Sequence, residues 1–173
     1  MAFNKLFNIG IAFTVLIALL NLNGCSYSFT GASVPPHLKT IAIPVFGDRS
    51  GSGEFGLGDK FTNGLIKKFI EDNTLTIADK LKSDCILEGT VSSLTDAPTV
   101  VTGSENISTR RLTITVRVVY KDLIKKTTIL EKNFSDYGDY QTDGDVYTAR
   151  QTAIESAVEK INEDILLGVV SNW

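Results

Sequence analysis

Cysteine is scarce in this 173-residue chain, which has two, and histidine, methionine and tryptophan each occur once. Two cysteines allow at most one disulfide, so the fold rests on packing and not on a covalent framework. A single histidine without a cysteine at metal-ligand spacing gives no metal or catalytic centre; His37 sits instead beside the pair Pro35-Pro36. No serine lies in a G-x-S-x-G turn, and no G-x-x-x-x-G-K-[ST] phosphate loop is present; Gly51 and Gly53 belong to a flexible connection. The balance of 17 basic and 20 acidic residues gives a net charge of −3, so the basic face needed for nucleic acid is missing. These absences leave no nucleophile–base pair, no metal and no cofactor site, and they speak against an enzyme.

Long apolar runs are also few. Ile9 to Leu20 is one, uncharged and 12 residues long, where spanning a bilayer as a helix takes about 20. It follows a short polar start with Lys5, and it precedes Leu22-Asn23-Gly24-Cys25. A charged start, a short apolar core and a small residue before the cut describe a secretory signal. The final four residues have the order of a lipobox, in which the Cys25 thiol is the nucleophile that receives a diacylglyceryl group and Gly24 keeps the scissile bond accessible. Residue 26 is Ser, not the Asp that retains enteric-type lipoproteins at the inner membrane, which points to the outer membrane. One acyl chain holds a protein weakly and two or more hold it stably, so the anchor supplies the membrane contact and the body faces the periplasm. We therefore read 1–24 as a lipoprotein signal peptide, 25–38 as a tether and 39–173 as a single α/β domain. Removing the signal takes Lys5 and no acid, leaving the body slightly more acidic than the whole. With Cys25 acylated, Cys85 remains, in an apolar strand-like run that suits a buried, inert thiol.

Along the body, Lys39 to Phe46 reads as a short β-branched strand, with Pro44 marking a strand end or sheet edge. Residues 47–54 read as a loop. From Leu57 to Asp72, Phe61, Leu65, Ile66, Phe69 and Ile70 recur at helical spacing, with charges between them. Thr74 to Ala78 reads as a second short strand, parallel to the first through a right-handed crossover. Cys85 to Leu94 is a longer strand, followed by breaker-rich segments around Asp96-Ala97-Pro98 and Gly103 to Asn106. The clearest strand is Arg110 to Lys121. Leu112, Ile114, Val116, Val118 and Tyr120 share one face, with Arg111, Thr113, Thr115 and Arg117 on the other. A turn at Lys125-Lys126 leads to an antiparallel strand from Thr127 to Tyr137. A long helix follows from Asp145, its N-cap, to about Val169, with Val146, Ala149, Ala153, Ile154, Ala157, Val158, Ile161 and Ile165 in its stripe. The fold class is α+β: a two-layer sandwich of a mixed sheet of about four to five strands, with two helices packed on one face.

Two clusters carry candidate chemistry. Asp136, Asp139, Asp143 and Asp145 lack EF-hand spacing and a closing Glu, so turn and cap duties account for them. Arg110, Arg111, Arg117 and Lys121, with Lys125 and Lys126 beyond, put cations along the central strand and its turn, where guanidinium groups suit phosphate and carboxylate oxygens. The alternative is a solvated face whose charges discourage edge pairing.

The segment from Cys25 to Phe46 resembles the start of lipopolysaccharide (LPS) assembly lipoproteins of the LptE family. So do Arg111 to Val118, the run Phe134-Ser135-Asp136-Tyr137-Gly138-Asp139-Tyr140, and the terminal Asn172-Trp173. The resemblance implies two helices on one face of a mixed sheet and a non-catalytic protein seated in the LPS-translocating outer-membrane β-barrel. There it would act as plug and folding partner and contact LPS, for which Arg110, Arg111, Arg117 and Lys121 are the candidates. Rival classes are a curli-secretion-type lipoprotein forming a homo-oligomer, a lipid-anchored enzyme, and a structural adaptor that does not touch LPS.

Overall fold

A computed structural model describes residues 34–99 and 109–171. The signal, Cys25, Gly103 to Asn106 and the terminal Asn172-Trp173 lie outside the described residues. Among the described residues, six strands and two helices follow in the order β1 (Thr40–Ala42), β2 (Gly47–Asp48), α1 (Leu57–Asp72), β3 (Thr76–Ile77), β4 (Cys85–Pro98), β5 (Thr109–Asp122), β6 (Thr127–Gln141) and α2 (Val146–Val170). The sheet runs β3-β1-β4-β5-β6, and β2 adds a short parallel pairing on β4. β1 and β3 are parallel, as a strand–helix–strand unit demands. The three long strands form an antiparallel meander. The α+β class is as expected, and the sheet is open.

The alternation of β5 decides which face is covered. Leu112, Ile114, Val116, Val118 and Tyr120 are at most 1% exposed, and they lie under the helices with Phe61, Leu65, Ile154 and Ile161 in one core. Removing a side chain of that size from water contributes about 1.5–3 kcal/mol. Close approach is set by small residues. A Cβ on Gly138 of β6 would stand 2.1 Å from the Ala153 carbonyl oxygen of α2, so the helix backbone lies directly on the strand. Phe46 stacks on Phe61 at 6.1 Å, and its ring fills the space above Gly89. On β4 the register shifts between Val91 and Ser93. Helix-facing residues are Leu87, Gly89 and Val91 before the shift, and Leu94 and Asp96 after it, since these pair with Tyr120, Val118, Val116, Ile114 and Leu112.

Helix ends follow local chemistry. Asp145 caps α2, its carboxylate accepting from the Thr148 N–H at 3.1 Å and the Thr148 hydroxyl at 2.7 Å. Asn73 closes α1 at φ 58° with its N–H on the Phe69 carbonyl, a conformation that suits Asn and Gly.

Several expectations need correction. Residues 47–54 are not wholly a loop, because Gly47 and Asp48 pair with Thr90 and Val91. β1 ends at Ala42 and lies inside the sheet, so Pro44 marks a strand end. Ile70 is 63% exposed, because the α1 stripe runs through Leu57, Phe61, Leu65 and Phe69. β6 continues to Gln141, which puts Asp136 and Asp139 on a strand and not in a loop. The packed body also starts before residue 39. Leu38 is a core residue, its N–H bonds to the Pro35 carbonyl at 2.9 Å, and His37 Nε2 lies 2.6 Å from Asp122 Oδ2. Burial pushes the Asp122 carboxyl up. The Lys125 and Ile124 N–H groups and His37 outweigh that and hold it below the ordinary carboxylate range.

Candidate functional site: the open face of the long strands

The face of β4, β5 and β6 away from the helices is polar throughout its centre. Thr115 and Ser135 share a hydroxyl–hydroxyl bond at 3.1 Å, and the Ser92 hydroxyl donates to the Thr115 carbonyl at 3.0 Å. Three cations stand among these hydroxyls, each against an acid on a neighbouring strand. Arg111 faces Asp139 directly in the ladder and holds both its oxygens, Nε to Oδ1 at 2.7 Å and Nη2 to Oδ2 at 2.8 Å. This two-point contact holds the Asp139 carboxyl below its usual range. The same guanidinium lies 3.6 Å from the centroid of the Tyr137 ring, with the Lys160 ammonium 4.9 Å from that ring. Arg117 binds Glu131 and lowers its pKa. Lys121 Nζ lies 2.7 Å from Glu88 Oε2. Three bases against three acids leave the face close to neutral.

Arg110 does not belong to that face. It has the helix-facing parity of Leu112, and its Nε donates to Asp96 Oδ1 at 2.7 Å. Asp96 also accepts from the Tyr140 hydroxyl at 2.7 Å and lies 3.4 Å from Arg150 Nε. Arg150 in turn reaches Glu54 at 2.6 Å, and Gln151 donates to the same carboxylate at 2.9 Å. Burial pushes Asp96 and Glu54 up, but the donors around them prevail and hold both below their ordinary values. This half-buried cluster ties the loop before α1 to β4, β5, β6 and α2. Of the four sequence candidates, then, Arg111, Arg117 and Lys121 share one surface and Arg110 is a structural tie at its far end. Tyr137 and Lys160 were missed; Lys160 sits on a helix 49 positions from Arg111, with no sequence signal to join them.

The aspartates take separate duties: Asp139 holds Arg111, Asp136 lies 3.3 Å from Lys160, and Asp145 caps α2. Among the described residues, no group of three or more His, Cys, Asp or Glu is placed to hold a metal ion. Cys85 is buried, accepts from the Tyr120 hydroxyl at 3.4 Å, and has its thiol pushed up to about 11 by burial. No helix among the described residues is long and apolar enough to cross a membrane.

A search of curated proteins finds no sequence match. Solved structures share the fold at low identity. A hypothetical protein from Chlamydia trachomatis superposes with a TM-score of 0.56 at 9% identity, covering 78% of this chain and 99% of its own. The uncharacterized lipoprotein B from Nitrosomonas europaea gives 0.56 at 11%, covering 86% and 91%. The rare lipoprotein B from Shewanella oneidensis gives 0.52 at 15%, covering 75% and 94%. A family model, LptE, described as lipopolysaccharide-assembly, matches residues 38–167. That span takes in every strand and nearly all of both helices, and the chain belongs to the LptE family of lipopolysaccharide-assembly proteins.

Proposed function

We propose that this protein is a periplasm-facing outer-membrane lipoprotein, acylated at Cys25 after removal of residues 1–24, that serves LPS transport as plug and folding partner of the LPS-translocating β-barrel. The observation that carries the reading is the family match across 38–167. In this reading the open face contacts LPS by exchanging partners. Surface ion pairs are worth about 0–1 kcal/mol, so an LPS phosphate can replace Asp139, Glu131 or Glu88 at small cost, and it offers Arg111 and Arg117 the same two-point geometry. This reading gives the protein no catalytic role, in keeping with a family described as lipopolysaccharide-assembly.

The near-neutral face favours a second reading, an adaptor that binds the barrel without touching LPS. A tag after Trp173 and affinity purification from detergent-solubilised outer membranes tests the first. Stoichiometric recovery of a large heat-modifiable barrel is expected, and a homo-oligomer with no barrel would overturn it. Replacing Arg111 and Arg117 with Glu separates the two readings. LPS contact predicts weakened LPS binding with the barrel retained, whereas unchanged LPS binding by a folded variant leaves the adaptor.

A further inference from the structure

The cations at one end of the sheet differ from those on its face. Lys80 and Lys82 lie in the turn that precedes β4, and Lys125 and Lys126 lie in the β5–β6 turn; all four are exposed, and none has a carboxylate partner among the described residues. Each turn also holds out an aliphatic side chain, Leu81 at 98% and Ile124 at 56% exposure. The two turns emerge side by side, joined by the Leu123 N–H on the Asp84 carbonyl at 2.8 Å. Nearby acids are turned inward: Asp84 accepts from the Lys39 and Thr40 N–H groups, and Asp122 from His37, Ile124 and Lys125. Asp79 is an exposed acid in the first of these turns, and Glu71, beside Lys67, is exposed at the end of α1. A basic, aliphatic tip therefore caps a chain whose net charge is −3.

Lysine is depleted at protein–protein interfaces, while aliphatic tips ringed by lysines suit a lipid headgroup layer, where the apolar groups enter and the lysine stems reach back to the phosphates. The chain also enters the body at this end, with His37 on Asp122. Cys25 is nine residues before Val34, and nine residues reach no more than about 30 Å. We propose that this tip is a membrane-contact surface, in which Leu81 and Ile124 enter the headgroup layer of an anionic phospholipid bilayer and the four lysines hold its phosphates. The proposal rests on the lipid-anchor reading for its geometry.

The test uses the full acylated protein in vesicles of phosphatidylcholine, with or without phosphatidylglycerol. An environment-sensitive dye is placed in turn at Leu81→Cys, Ile124→Cys and, at the opposite end, Tyr147→Cys, all exposed positions where substitution is mild. Cys85 is buried and does not compete for the label. With phosphatidylglycerol present, dye at 81 and 124 brightens and is quenched by nitroxide lipid, while dye at 147 is unchanged. Replacing the four lysines with glutamine lowers the inserted-to-exposed ratio roughly six-hundredfold, at about fivefold per lysine, while the anchor still floats the protein. Dye at 81 and 124 as water-exposed as at 147 overturns the tip and leaves the anchor standing. Equal shielding on phosphatidylcholine alone overturns the anionic contact. A protein that fails to float overturns the anchor reading and this one with it.

Discussion

The two faces of β5 are built from alternating residues of one strand, and they solve opposite problems. Leu112 to Tyr120 on one side are sealed under the helices; Arg111, Thr113, Thr115 and Arg117 on the other remain accessible. On the sealed side, stability comes from apolar area and leaves no place for an unpaired charge. On the open side every cation is matched by an acid on the next strand. Counting charges along a strand therefore says little about the potential above it, because the partners arrive through register.

The sharpest way to break this contrast is to put one charge at neighbouring positions. Val116→Asp buries an unpaired carboxylate and should cost more than about 4 kcal/mol, while Thr115→Asp, one residue away, should cost about 1 kcal/mol or less. Urea midpoints at constant m-value measure both, and equal losses would dissolve the distinction. Asp96 lies between the extremes, half-buried with Arg110, Tyr140 and Arg150 around it. Asp96→Ala strands those donors and should cost about 2 kcal/mol.

Acid probes the same cluster more gently. Asp96 and Glu54 have folded values below their ordinary 3.8 and 4.5. Their contribution is thus complete above about pH 5 and is lost as pH falls through those lowered values. Urea midpoints should drop below pH 4, and less steeply in Asp96→Asn; equal slopes would remove Asp96 from the account. The smallest effect belongs to the exposed pair Arg117–Glu131. Glu131→Gln should leave the urea midpoint almost unchanged, with salt erasing what difference there is.

What was legible in the sequence follows from the same contrast. Strict period-two alternation announced β5, helical spacing announced α1 and α2, and Asp145 was readable as a cap. β2 was hidden because Gly47 and Asp48 are exposed and carry no hydrophobic signal; the edge of β4 recruits them. Ile70 looked like core because spacing alone cannot say where a stripe ends. β6 was cut short because its aspartates look like a loop until Arg111 and Lys160 claim them. For the candidate site, the residue types were readable and their partners were not. Arg111 meets Asp139, and Arg117 meets Glu131, through a hairpin register that only the folded ladder defines. Arg110 was assigned to the wrong side because parity in a strand outranks adjacency.

The register shift in β4 makes the pleat behave like a message with one inserted letter. Deleting Ser92 would remove that letter and leave the phase intact, because Ser93, Leu94, Thr95 and Asp96 would keep their partners Thr115, Ile114, Thr113 and Leu112. Adding one more residue after Ser93, paired without a second bulge, would reverse everything up to Pro98: Leu94 would turn to water, Thr95 and Ala97 would turn beneath the helices, and Asp96 would leave Arg110 and Arg150 with nothing to hold. One added codon would then dismantle the cluster around Asp96 without altering any member of it. In this family, the length of β4 should tolerate less change than its composition.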